Sequence, residues 1–316
     1  MISAPDSARN IFKLPKDDLT VVVPVLNEER GVGAALDDII QNGYQNIMVV
    51  DGYSTDSTVE VARGKNAFVI SQHGKGKTGA VRTAIENVST LYMVVMDGDY
   101  TYDAADIEKF LDHARLYDEI IGARDSHNIS SLHRFGNRII SSLFNALMGT
   151  KISDVCSGMY LLNSKFAKQL NLQSTGFSVE VELLAQTALH GRATEIPVNY
   201  RKRIGKPKLS TWAAGFGISK AVLGLARRYN PVFLFSIGAG CAIIPGVALL
   251  VYVVWDWVQF GIFRSAFALF GVMLLLLSSQ SFMVGTLAIL IRRSEIRVEA
   301  LVRQEMERVR RHLPSE

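Results

Sequence analysis

Leu91-Tyr92-Met93-Val94-Val95-Met96-Asp97-Gly98-Asp99-Tyr100 is an apolar run that ends in two carboxylates one residue apart. An uninterrupted apolar run of strand length reads as a buried strand. In an open sheet of strands alternating with helices, ligands bind just past the carboxyl ends of the strands. Asp97 and Asp99 would then sit where a ligand sits. Two hard oxygen donors at such a place suit Mg2+ or Mn2+ held together with a substrate's phosphates. Asp-Gly is also ordinary turn chemistry, so the surrounding sequence has to decide between a site and a bend.

The chain has 316 residues, room for two ordinary domains or for one domain plus a membrane part. Mean hydropathy is positive, and the apolar excess falls mostly after Asn230, while Asp17 to Tyr200 has globular composition. Basic residues cluster at Arg201 to Lys208, Arg227-Arg228, Arg292-Arg293 and Arg308 to Arg311. Beside apolar segments such clusters favour an anionic membrane face over nucleic acid, for which no motif is visible. Cys156 and Cys241 lie far apart, without disulfide or zinc spacing. Residues 1–16 are a short polar tail without signal-peptide character, so the globular part is expected in the cytoplasm.

Strand and helix patterns alternate four times up to Asp99. Leu19 to Val25 is a β-branched strand, and Asn27-Glu28-Glu29 is expected to open and cap the next helix. Gly31-Val32-Gly33 is no dinucleotide fingerprint, because the third glycine is missing and the pair lies within the helical stretch. Asn46 to Val50 is the second strand, and Ser54 or Asp56 would cap a helix starting at Thr58. Ala67 to Ser71 is the third. After it, His73 to Gly79 misses the P-loop pattern by one glycine, since Ser71 stands in its place. A Gly- and Lys-rich mouth before a helix still fits an anion site that would include Lys77, and it fits a solvated turn equally well. This alternation argues for a mostly parallel sheet covered by helices on both faces.

Asp118 to Gly122 is a further strand leading to Arg124. Leu132 to Phe144 reads as an amphipathic helix on which Arg134 and Arg138 share a face. Paired arginines suit a phosphate, and a solvated basic face is the plain alternative. Asp154-Val155-Cys156-Ser157-Gly158 follows, and then Gly176 to Glu182, where Glu180 and Glu182 would align on a strand and diverge on a helix. Ile196 to Arg203 is expected as a strand, and Gly205 to Lys208 as a basic loop. Leu209 to Arg228 has the pattern of amphipathic interface helices. Pro231 to Trp255 and Ser265 to Ile291 are uncharged and each long enough to span a bilayer. Arginine pairs at their outer ends place both termini in the cytoplasm. Gly238, Gly240, Gly271 and Gly285 would permit close helix contacts, including those of a homo-oligomer. The resulting division is a tail at 1–16, a catalytic domain at 17–208, interface helices at 209–229, two transmembrane helices at 230–292 and a charged helical tail at 293–316.

Taken together, Pro24-Val25-Leu26-Asn27-Glu28, Asp51 to Asp56, Asp97-Gly98-Asp99 and Asp154 to Gly158 resemble the family 2 glycosyltransferases, which have the GT-A fold. Arg203 to Ser210, followed by interface helices, narrows the resemblance to polyprenyl- and dolichyl-phosphate sugar synthases. The resemblance covers roughly residues 19 to 230. It implies a nucleoside-diphosphate sugar as donor, such as GDP-mannose or a UDP-hexose, and a lipid phosphate as acceptor. By position, Pro24, Asn27, Glu28 and Asp51 would hold the nucleoside, with Lys77, Arg203 and Lys208 on the donor side. Asp97 and Asp99 would serve a divalent metal and the diphosphate. Arg124 and Arg138, with Arg134 and Ser142, would hold the acceptor phosphate. The sequence departs from the family pattern at Gly52, usually a second Asp, at Thr101, a Gln in some members, and at Lys206-Pro207, commonly Gly-x-Ser.

The chemistry implied is consistent with the residues. A lipid phosphate is already anionic and needs no strong general base. Its approach to an anionic donor must be screened, and a divalent ion with several arginines does that. In-line attack would invert the anomeric carbon. Two other readings share parts of the pattern. A processive polysaccharide synthase usually has a Gln-x-x-Arg-Trp motif and more spans, and neither is present. A membrane scaffold that has lost catalysis would not need the intact carboxylates and arginines.

Overall fold

The computed structural model describes residues 13–125, 131–172, 179–204, 224 and 231–312. Lys208, the basic loop from Gly205, Gly176 to Ser178, Arg227-Arg228 and, apart from Gly224, the interface helices expected at 209–229 lie outside them. By internal contacts the chain divides into two compact units, Met1–Leu223 and Gly224–Glu316.

The first unit is built on a seven-stranded sheet: β1 Leu19–Val25, β2 Ile47–Asp51, β3 Phe68–Ser71, β4 Tyr92–Val95, β5 Glu119–Arg124, β6 Tyr160–Asn163 and β7 Ala193–Val198. The spatial order is β3-β2-β1-β4-β6-β5-β7. Pairing is parallel except at β6, which runs antiparallel to both β4 and β5. Alternate residues of the strands feed two cores. Val21, Val23 and Val94 pack on one face with α1 (Val32–Gln41) and α4 (Ile107–Leu111). Val22, Met93 and Val95 pack on the other with α3 (Gly76–Asn87) and α7 (Val179–His190). Both faces are therefore covered, as the continuous apolar strands require.

Two local expectations change, and one open alternative is decided. The stretch after Asn27 is not yet helix: α1 starts at Val32 with Gly31 as its cap, and Glu28 supplies a backbone carbonyl to the N–H groups of Gly31 and Val32. Glu180 and Glu182 lie in the first turn of α7, so they diverge, and both are buried. The last strand is Ala193–Val198 rather than Ile196 to Arg203. Beyond it the chain crosses back over the β4 loop, where the Arg201 N–H donates to the Thr101 carbonyl at 2.6 Å and the Ile204 N–H to the Asp99 carbonyl at 3.3 Å. The short helix α2 (Thr58–Gly64) begins where expected, with Asp56 Oδ1 accepting from the Thr58 N–H at 3.1 Å.

Sheet order reverses between β1 and β4, the switch point at which a crevice opens beyond the strand ends. Pairing of these two strands ends at Val22 with Val95. Pro24 lies past that point, where its missing N–H removes no ladder bond to β4. Asp97 and Asp99 follow β4 directly into this opening.

The second unit consists of α8 (Pro231–Phe260) and α9 (Ser265–His312), the latter running unbroken from the apolar stretch into the charged tail. Phe235–Phe260 and Ser265–Ala288 are each long and apolar enough to cross a membrane. Only 17% and 11% of their most apolar windows is buried, the reverse of a soluble core helix. The hairpin closes on small residues. Gly246 and Gly271 approach so closely that a Cβ on either would stand 3.2 Å from the other's carbonyl oxygen. A Cβ on Gly238 would meet Ser281, and one on Gly285 would meet Phe235. These glycines thus serve the contact within the hairpin.

One buried acid carries a stability prediction. Glu119 at the start of β5 is 1% exposed, and its Oε2 has no hydrogen-bond partner among the described residues. Burial pushes its carboxyl from the usual 4.5 up to about 8. A raised folded pKa gives stability that is full below the unfolded pKa and is lost as pH rises through the folded value. Native stability should therefore fall between pH 4.5 and about 8. Glu119→Gln should remove that dependence and melt several degrees above native at pH 8, on the order of 2–4 °C per kcal/mol regained. Thermal melts of both proteins across this range check it, and equal pH profiles would contradict it.

Candidate active site

The loops after β1, β2 and β4 converge at the switch point. Asp51 ends β2 with its side chain turned back on its own loop, where it accepts from the N–H groups of Tyr53 at 3.0 Å and Ser54 at 3.1 Å. Asn27 adopts φ +51 and its Oδ1 accepts from the Thr55 N–H at 2.7 Å. The Glu28 N–H donates to Thr58 Oγ1 at 2.7 Å. The β1 and β2 loops are thereby locked into one wall, which brings Pro24, Asn27, Glu28 and Asp51 together.

Asp97 and Asp99 form the opposite wall. Glycine is required between them, because a Cβ on Gly98 would stand 2.7 Å from Val25 Cγ1. Asp99 is 7% exposed, and its Oδ1 accepts from Thr101 Oγ1 at 2.5 Å and from the Thr101 N–H at 3.2 Å. Thr101 therefore orients the second aspartate. Arg203 reaches in from the segment after β7, pairing with Glu28 and, at 3.2 Å, with Asp99 Oδ2. Lys77, from the first turn of α3, lies 2.6 Å from Asp97 Oδ1 and 2.6 Å from Glu180 Oε1. The Gly- and Lys-rich mouth thus delivers its lysine to the acidic pair.

These residues fit a divalent cation. Burial, and then the charge of Asp97, push the Asp99 carboxyl up, a repulsion that a cation between the two would relieve. Gly158 leaves open the space beside Asp97, where a Cβ would stand 2.0 Å from Oδ2. Among the described residues no group of three His, Cys, Asp or Glu gathers into an all-protein cage. Two carboxylates completed by substrate phosphates is the arrangement Mg2+ accepts.

A second basic region lies beside β5. Arg124 is held by Asp154 through Nε at 2.6 Å and Nη2 at 2.8 Å, and its guanidinium stands 5.4 Å from the Tyr200 ring centroid. Asn137 of α5 (Ser131–Met148) donates to Asp154 Oδ1 at 3.0 Å. Asp154 therefore ties α5 to Arg124. Arg134, Arg138 and Ser142 are exposed on that helix at intervals of four, on one face. The Asp154 loop is itself anchored, with Ser157 Oγ donating to the Gly122 carbonyl at 2.5 Å and the Gly158 N–H to Tyr102 Oη at 2.7 Å. Residue pattern alone does not mark Glu180, Asn137 or Tyr102 for these roles, since each is defined by a partner distant along the chain. Asp154 and Gly158 stood in a recognised stretch without a role.

An acidic pair at the switch point of such a sheet, with basic groups beside it, suits a phosphorylated ligand held through a cation. A family model described as Glycosyl transferase family 2 matches residues 20–170. "Glycosyltransferase AglJ" of Haloferax volcanii is 31% identical over 93% of this chain and 97% of its own length. "Dolichyl-phosphate hexose transferase" of the same organism is 35% identical over 66% of this chain and 93% of its own. Among solved structures, glucosyl-3-phosphoglycerate synthase from Mycobacterium tuberculosis, in complex with Mn2+, UDP and glucosyl-3-phosphoglycerate, shares the fold. It has a TM-score of 0.56 at 18% identity, covering 71% of this chain and 86% of that one. The chain belongs to glycosyltransferase family 2, and it is a glycosyltransferase.

Proposed function

We propose that this protein is a membrane-anchored, inverting, metal-dependent transferase that moves a hexose from a nucleoside-diphosphate sugar, GDP-mannose or a UDP-hexose, to dolichyl or polyprenyl phosphate. The observation that carries the reading is the pairing of two separate basic sites. Arg203 and Lys77 flank Asp97 and Asp99, while Arg124 is tied through Asp154 and Asn137 to the arginine face of α5. The similarity to a dolichyl-phosphate hexose transferase and the two apolar helices support a lipid acceptor.

In this mechanism the β1–β2 wall takes the nucleoside. Asp97 and Asp99 would hold Mg2+ or Mn2+, which when bound supplies positive charge to the leaving diphosphate. Arg203 leaves Glu28 to share its fork with the diphosphate. Arg124, with Asp154 fixing its plane, meets the acceptor phosphate together with Arg134, Arg138 and Ser142. The acceptor oxygen is already ionised, so these residues orient and screen it rather than remove a proton.

Arg138→Ala should raise the KM for lipid phosphate about tenfold, the loss of roughly one charge-assisted contact, and leave donor binding nearly unchanged. Arg203→Ala should weaken nucleotide-sugar binding by a similar factor. Calorimetric titration of GDP- or UDP-sugar beside lipid-dependent kinetics separates the two. Loss of donor affinity in Arg138→Ala with native lipid dependence would refute the assignment.

The arginine asymmetry supports a cytoplasmic position for the catalytic domain and both termini, with the Asp256-to-Arg264 loop outside. Gly261 ends α8 at φ +67 and is a strained place for a probe. Phe263, 61% exposed, is the better one. Phe263→Cys should react with an impermeant thiol reagent in intact cells, and a tag after Glu316 should be protected. The opposite pattern would reverse the orientation.

A further inference from the structure

Each aspartate of the Asp97-Gly98-Asp99 element is held by one cation, and each cation's second partner is a glutamate. The two chains are Glu180–Lys77–Asp97 and Glu28–Arg203–Asp99. With every group charged, each chain carries one net negative charge, and the two together match one divalent cation. Glu28 and Arg203 belong to the donor site already described. Glu180 was assigned no role: it comes from the first turn of α7, is 8% exposed, and reaches the site through Lys77. A carboxylate buried to this degree is retained only with a partner, and its partner is the lysine that also holds Asp97.

We propose that Glu180 is a positioning residue for the metal site, acting through Lys77. By sharing the Lys77 ammonium it keeps that charge from being wholly committed to Asp97, so that Asp97 stays oriented yet open to a divalent cation. This inference rests on the metal-dependent reading above. The geometry gives it a distinctive sign. In Glu180→Gln the ammonium keeps one anionic partner, and an entering cation must displace a lysine fully paired with Asp97. In Lys77→Gln/Glu180→Gln the competing charge is gone, and the two amides leave no unpaired buried ion.

The test is Mn2+ binding to the full-length protein in detergent, read from the free-ion paramagnetic resonance signal with and without UDP or GDP. Glu180→Gln should bind Mn2+ roughly tenfold more weakly than native, a coupling ordinary within one ion-pair network. The double variant should recover native affinity or better while remaining a poor catalyst. A merely structural role for Glu180 predicts something else, namely a lowered melting temperature in both variants and no recovery. Equal Mn2+ uptake by native and Glu180→Gln overturns the inference alone. A native protein that takes up no Mn2+ even with nucleoside diphosphate overturns the metal reading and this inference with it. If Glu180→Gln fails to fold, the double variant still decides: Mn2+ affinity well below native there contradicts a competing role for Lys77.

Discussion

Asp99→Ala should abolish sugar transfer, lowering kcat/KM by at least about 100- to 1,000-fold, the scale of losing one charge-stabilising contact at a reacting centre. Asp99 reaches the site at the end of a fully buried strand, is oriented by Thr101 and faces Arg203. Its removal takes away one of two hard oxygen ligands and one of the two anchors of Arg203. The fold should survive, because Ala leaves no charge stranded and Arg203 keeps Glu28. Transfer kinetics with a thermal melt check both halves. Full activity in this variant, or full activity of the native enzyme in excess EDTA, would contradict the role.

Gly158→Ala should be nearly as damaging, although Gly158 is assigned no substrate contact. The added Cβ would stand 2.0 Å from Asp97 Oδ2 and 2.7 Å from Asp97 Cγ, distances no real contact sustains. The backbone cannot easily retreat, because the Gly158 N–H is committed to the buried Tyr102 hydroxyl at 2.7 Å. Asp97 must therefore rotate away, breaking its contact with Lys77. The expected loss of activity is about 100-fold, against a stability loss of about 1–3 kcal/mol for a single overpacked site. Gly64→Ala is the matching control, since nothing lies within 4 Å of a Cβ there, and its activity should be native. A Gly158→Ala enzyme that turns over like Gly64→Ala would mean that Asp97 need not occupy its observed position.

Much of this was legible from residue pattern alone, for physical reasons that can be named. The β1, β2 and β4 runs are buried on both faces, so their apolar character is continuous and their ends are sharp. Asp51, Asp97 and Asp99 stand directly after such runs. β6 was not legible. At four residues, Tyr160–Asn163 is too short for a period to show, and its antiparallel direction is set by pairing between β4 and β5 rather than by its own residues. The same holds for the supporting ion pairs. Arg124 was marked as basic, but its bond to Asp154, thirty residues on, is a product of tertiary packing. Glu180 was one of two acids whose facing depended on strand or helix, and only the placement of α7 against α3 turns it toward Lys77. Local patterns fixed the donors at the strand ends, and the fold supplied the partners that orient them.

The most direct test of lipid-phosphate glycosylation is transfer itself. Full-length protein in detergent would be given polyprenyl phosphate, Mn2+ or Mg2+, and radiolabelled GDP-mannose, UDP-glucose or UDP-N-acetylglucosamine in parallel. One donor should place label in the organic phase as a single sugar per lipid, with inverted anomeric configuration and none in excess EDTA. Label in a growing water-soluble polymer, or no lipid-linked sugar from any donor by a protein that binds nucleotide, would contradict lipid-phosphate glycosylation.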